Sequence, residues 1–226
     1  MDRFDSSPER TSCDVDAALD HPIFRESVRR IRGWLGDTGL EGVERELLER
    51  LVHSSGDLSL APDLRFSPGA CAAGMAALAA GAPILTDTAM AAAAVAPMAR
   101  RTFANPVRSV LEVAPAVAPP GGTRAAAGMA LALAAYPGAV VLVGSAPTAL
   151  ERLLELTAAG TVPAPALVIG MPVGFVGVAE SKRHLAASTL PQIRLEGSKG
   201  GAGLAAAAVN ALLRRAWLDQ AARERP

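Results

Sequence analysis

The sequence predicts an α/β fold: a single domain with a mostly parallel sheet of about five strands, helices on both faces, and N-terminal helices preceding it. Three observations predict it. Apolar runs of strand length recur along the chain and alternate with helix-length stretches, as in parallel sheets joined by crossover helices. The runs are continuously apolar, which suits strands buried on both sides. A chain of 226 residues without a repeat period fits one sizeable core.

The elements follow in order. Residues 1–20 are polar and acidic, lack the basic start and apolar centre of a signal peptide, and are expected to form a loose tail. The domain is expected over 21–217, with a short tail at 218–226. A first helix begins near His21-Pro22. Phe24, Val28, Ile31 and Leu35 fall at helical spacing, and Arg25, Arg29, Arg30 and Arg32 lie mostly on the wet side. A second helix runs from about Leu40 to His53, burying Val43, Leu47 and Leu51, and Gly56 supplies its stop. Strands are expected at 83–86, 108–113, 139–143, 166–169 and 192–195. Helices are expected at 68–80, 123–135, 149–159, 179–188 and 201–217. The proline- and glycine-bearing stretch 114–122 reads as an exposed loop.

Composition excludes several classes of function. Lys plus Arg equal Asp plus Glu at 22 each, so no global field attracts nucleic acid, and 4% aromatic content offers few stacking platforms. Cys13 and Cys71 make no disulfide framework, and no Cys/His spacing suits a metal. The uncharged stretch 125–150 is long enough to span a bilayer, but Tyr136-Pro137-Gly138 interrupts it. Helix, turn and buried strand explain it better, so a cytoplasmic protein without membrane or nucleic-acid partners is expected.

The segment most suggestive of chemistry is 166–182. Its apolar run breaks into Gly170, Pro172, Gly174 and Gly177 and passes into Glu180, Ser181 and Lys182. Glycine loses more backbone freedom on folding than other residues, so this density suits a sharp turn or the close approach of a large ligand. Ligands of open α/β sheets bind outside the carboxyl ends of the strands. Thr86-Asp87, Ser145-Ala146-Pro147-Thr148 and Met171-Pro172-Val173-Gly174 all follow strands and should gather there. Of three histidines, His21 reads as a cap or surface residue and His184 as solvent-facing. His53 ends an amphipathic helix before Ser54, Ser55 and Asp57, as either a packed helix end or a functional group. At a helix C-terminus its imidazolium should be favoured by about 0.3–1 kcal/mol.

The 166–182 segment closely resembles the signature of the precorrin-8X methylmutases, which act on a corrin precursor in vitamin B12 synthesis. His21-Pro22-Ile23 with Ser27, Leu51-Val52-His53-Ser54-Ser55-Gly56-Asp57, and the 81–87 segment ending Thr86-Asp87 extend the resemblance. Thr123-Arg124, the 144–150 segment, and Gly200-Gly201 with Asn210 complete it in family order. The resemblance implies an isomerase that moves a methyl group within one tetrapyrrole molecule, with no cofactor and no metal. It makes His53 the catalytic proton donor and Arg124 a contact for a substrate carboxylate or ring edge. Lys182 is a further cationic contact. Backbone N–H groups around Gly174, Gly177, Gly200 and Gly201 are candidates to bind carboxylates. Ser54, Ser145, Thr148 and Ser181 offer hydroxyls, and Asp87 is a candidate to orient His53, receive a substrate amide or cap a helix. A homodimer is also implied. Ser145, Ala89 and Glu196 depart from the family pattern and motivate one alternative, a tetrapyrrole-binding homologue with impaired catalysis.

Overall fold

The structure, a computed structural model, describes residues 20–224. Helices α1 (Pro22–Leu35) and α2 (Gly42–Ser55) come first, then a 3-10 turn (Leu58–Asp63) leading into β1 (Leu64–Phe66). There follow α3 (Ala70–Ala79), β2 (Ile84–Thr86), α4 (Ala89–Arg101), β3 (Val107–Ser109) and α5 (Arg124–Ala135). The chain ends with β4 (Val140–Val143), α6 (Pro147–Ala158), β5 (Leu167–Gly170), α7 (Val178–Ala187), β6 (Gln192–Leu195) and α8 (Ala202–Arg223).

The strands form one sheet in the order β1-β6-β5-β4-β2-β3. All neighbours are parallel except β1, which runs antiparallel to β6 with Leu64 opposite Leu195. Successive side chains of β2, β4 and β5 enter opposite cores. Ile84, Val140, Leu142, Leu167, Ile169 and Ile193 pack with Leu47 of α2, Leu78 of α3, Val95 of α4 and Leu212 of α8. Leu85, Val141, Val143 and Val168 pack with Met129 and Leu133 of α5, Leu150 and Leu153 of α6 and Leu185 of α7. A continuously apolar strand thus serves two cores.

Ion pairs fasten the N-terminal helices. The Glu49 carboxylate of α2, 1% exposed, accepts two 2.8 Å bonds from Arg32 of α1 and one of 3.0 Å from Arg45. Arg214 of α8 grips Asp20 just before α1, with its Nε 2.9 Å from one carboxylate oxygen. Asp20, assigned by the sequence to the loose tail, is therefore buried; the rest of that segment lies outside the described residues.

Four boundaries differ from the sequence reading. β1 is a sixth strand, too short at three residues to show a period. The strand expected at 108–113 ends at Ser109, where a capping box between Ser109 and Glu112 starts a 3-10 turn at Val110. α4 is hidden in sequence by its alanines and by Pro97, although Thr88 caps it by accepting from Ala91 N–H. α8 runs to Arg223, well past the expected end at Trp217.

Candidate functional site

The loops after β2, β4, β5 and β6 all leave the carboxyl edge of the sheet. Because β1 is antiparallel, the turn that enters it lies at that same edge, beside the end of β6. The topology therefore brings the α2 terminus, with His53, to the loops that carry the glycines.

A run of contacts makes the junction explicit. Lys199, in the loop after β6, hydrogen-bonds the Ser59 hydroxyl and lies 3.4 Å from Asp57. Its carbonyl accepts a 2.5 Å bond from Lys182, which also donates to Gly197 O at 2.9 Å. The same loop meets the one after β5 through Gly201 N–H to Met171 O (2.8 Å) and Gly174 N–H to Ser198 O (3.1 Å). Gly200 is required here, because a Cβ would lie 2.1 Å from Met171 O. Val173 N–H reaches Gly144 O at 3.3 Å, and Asp87 accepts from Ser145 and Ala146 N–H at 2.6 and 2.7 Å. Thr123, which caps α5, lies 2.8 Å from the Thr148 hydroxyl, joining the starts of α5 and α6. Arg124 follows, exposed, with Nε donating to Pro115 O at 2.9 Å.

His53 sits in the last turn of α2, which Gly56 closes in a left-handed conformation. Its imidazole is exposed on one side and meets the Phe24 ring edge-on at 4.9 Å. Burial first, and the positive charge of Arg50 second, push its pKa below the ordinary histidine value. In the free protein His53 is therefore mostly neutral at pH 7. The charge stabilisation expected from the helix end is opposed here by partial desolvation and by a guanidinium one turn earlier.

Several candidates have structural partners instead of free groups. Lys182 is 2% exposed and clamps two carbonyls. Burial pushes its pKa down to about 8. The Ser181 hydroxyl is buried and donates to Val178 O. The N–H groups of Gly174 and Gly201 are spent on loop-to-loop bonds, while Gly177 starts α7 in a left-handed conformation. Asp87 neither orients His53 nor caps a helix: it is buried, it holds the loop after β4, and its second oxygen has no partner among the described residues. His21 caps α1 by accepting from Ile23 N–H, and exposed His184 pairs with Glu151 at 2.8 Å. Ser54, Ser145, Thr148 and Arg124 remain exposed at or near the edge.

The sequence reading missed a cleft of about 280 Å³ between α1, α2 and α8, lined by Phe24, Arg25, Glu46, Arg50 and Arg214 among others. Its available signal was the spacing of Arg50 and His53, three apart and so on one helix face.

Comparison with known proteins gives this geometry its family. The profile of the precorrin-8X methylmutases matches residues 22–215. A cobalt-precorrin-8 methylmutase from Synechocystis sp. is 40% identical over 215 residues, covering 89% of this chain and 98% of that one. A precorrin-8X methylmutase from Pseudomonas aeruginosa is 47% identical over 195 residues, 84% of this chain and 93% of that protein. The solved precorrin-8X methylmutase of Thermus thermophilus superposes with a TM-score of 0.77 at 40% identity, covering 87% of this chain and 98% of the other. The chain belongs to the precorrin-8X methylmutase family.

Proposed function

We propose that this protein is a methylmutase of cobalamin biosynthesis. It converts precorrin-8X to hydrogenobyrinic acid, or the cobalt-containing equivalent to cobyrinic acid, by a 1,5-sigmatropic methyl shift. The methyl bond to C-11 breaks as the bond to C-12 forms, and nothing leaves the molecule. The protein's work is to hold a broad anionic macrocycle, exclude water and supply one donor where electron density shifts. His53 is that donor: its neutral ring offers an N–H, and a bound polycarboxylate favours its taking up a proton. Arg124 contacts a peripheral carboxylate, with the Ser54, Ser145 and Thr148 hydroxyls adding neutral contacts.

The observation that carries this reading is the contact run from the His53 segment through Lys199 to the loop after β5. It joins Asp57 and Ser59, a few residues past the candidate donor, to the glycine-rich surface on which a flat ligand would rest. The three departures from the family pattern do not favour an impaired homologue. Ser145 uses its backbone N–H to bind Asp87, Ala89 begins α4, and Glu196 pairs with Arg65 and Arg194.

Exposed apolar residues on the glycine loop, Phe175 at 94% and Val176 at 88%, support a homodimer with the site near the subunit boundary. Sedimentation equilibrium showing a monomer at micromolar concentration would overturn the dimer. No described helix is long and apolar enough to cross a membrane; a cytoplasmic location is proposed from the biosynthetic role of the family.

The functional test is spectroscopic. Mixed with precorrin-8X or cobalt-precorrin-8, the protein should generate the product chromophore, and His53→Ala should abolish turnover while the protein stays folded. A bound but unchanged spectrum would refute the isomerase reading. Wild-type turnover by folded His53→Ala would refute the role of His53.

A further inference from the structure

Arg50 has an uncommon environment for an arginine. It is half-buried at the cleft between α1, α2 and α8, with its guanidinium 4.6 Å above the Phe24 ring. Burial is the main influence on it and opposes its charge; the Asp20 carboxylate, itself bonded to Arg214, partly supports that charge, and Arg214 opposes it. Yet among the described residues it has no hydrogen bond or ion pair to an acidic side chain. A desolvated guanidinium presents five N–H donors, and leaving them unmatched is unfavourable.

The acidic residues of the cleft are already committed. Glu49 is held by Arg32 and Arg45, Asp20 by Arg214, and Glu46 lies 3.1 Å from Arg215 and 3.6 Å from Arg214. Arg25, also lining the cleft, has no acidic partner among the described residues. Two guanidiniums, those of Arg50 and Arg25, therefore stand without an acidic hydrogen-bonding partner among the described residues, beside a space of about 280 Å³. That space adjoins the candidate donor, because the Phe24 ring that carries Arg50 also touches His53.

We propose that Arg50, assisted by Arg25, forms a carboxylate-binding subsite that receives one peripheral carboxylate of the macrocycle. This rests on the functional reading above and assigns a second cationic anchor to the same ligand, on the His53 side of the site. Guanidinium is suited to the task, since its planar fork pairs with a carboxylate through two parallel bonds. A carboxylate bound there also offsets the Arg50 charge that disfavours the protonated state of His53, so the anchor prepares the donor as it positions the ring.

The test uses the full-length protein with Arg50→Met, Arg50→Lys and Arg25→Met. Turnover is measured with precorrin-8X, and binding with hydrogenobyrinic acid and its peripheral methyl esters. Loss of one charge-assisted pair predicts a roughly 10–100-fold rise in KM and in product Kd for Arg50→Met. The effect on kcat should be smaller, Arg50→Lys should recover part of the affinity, and Arg25→Met should show a lesser loss. The fully esterified product should bind wild type and Arg50→Met alike. Unchanged KM and product affinity in folded Arg50→Met would overturn the subsite. So would an Arg50→Met penalty equally large for the ester, because that would reflect packing. Failure of the wild type to bind or convert substrate would instead refute the functional reading.

Discussion

Replacing Lys182 by Met tests the electrostatics of the loop clamp. The ammonium is 2% exposed, and burial pushes its pKa down to about 8. In an unfolded chain it would titrate near the usual lysine value of about 10.4. Between those limits the unfolded state binds more protons than the folded one, so stability rises with pH across that window. Below pH 8 both states carry the proton and the deficit is constant. A separation of that size corresponds to about 3 kcal/mol. The amine keeps enough N–H groups to serve both carbonyls after losing its proton, so the clamp survives the change. The chain makes the measurement clean: its only lysines are Lys182 and Lys199, and it has a single tyrosine. Urea unfolding of wild type and Lys182→Met at pH 7 and pH 10.5 should show the stability difference shifting by about 3 kcal/mol in favour of wild type at the higher pH. A difference constant to within about 1 kcal/mol would show that Lys182 is not desolvated, and the reasoning would fail.

Other perturbations address the site's scaffold. Gly200→Ala places a Cβ against Met171 and Pro172 backbone atoms and should lower stability by about 2–4 kcal/mol by forcing apart the loops after β5 and β6. Denaturant titration reads the loss, and the variant should also lose product affinity. Glu49→Gln leaves Arg45 without its charged partner. It should cost about 3 kcal/mol, less than a fully buried pair because Arg32 is largely exposed. Burial alone would raise the Glu49 pKa, but the bonds from Arg32 and Arg45 outweigh it and hold it below the ordinary value. Its stabilisation is therefore complete above the unfolded glutamate pKa and lost as pH falls. Acid unfolding of Glu49→Gln should accordingly show a weaker pH dependence than wild type.

The legible parts of the molecule were those governed by local rules. His21 before Pro22 capped α1 as its wording suggests, and Gly56 closed α2 after the apolar spacing of Leu47 and Leu51 ended. β4 and β5 were visible because a strand facing two cores must be apolar at every position. β1 was invisible because its three residues gain their structure from pairing with β6, a partner well over a hundred positions away. α4 lacked contrast because alanine marks neither face strongly, and its burial is set by α8 packed against it.

The candidate site divides in the same way. From its own order of residues the chain determined its family, the candidacy of His53 and the gathering of the post-strand loops along one edge, because these depend on motif, period and strand direction. Only tertiary structure decided what each group is free to do. It enclosed Lys182 and Ser181, spent the N–H groups of Gly174 and Gly201, lowered the proton affinity of His53 and left Arg50 facing a cleft. The physical reason is that charge and hydrogen-bonding capacity depend on solvent access and on partners distant in sequence, and neither is encoded in any local pattern.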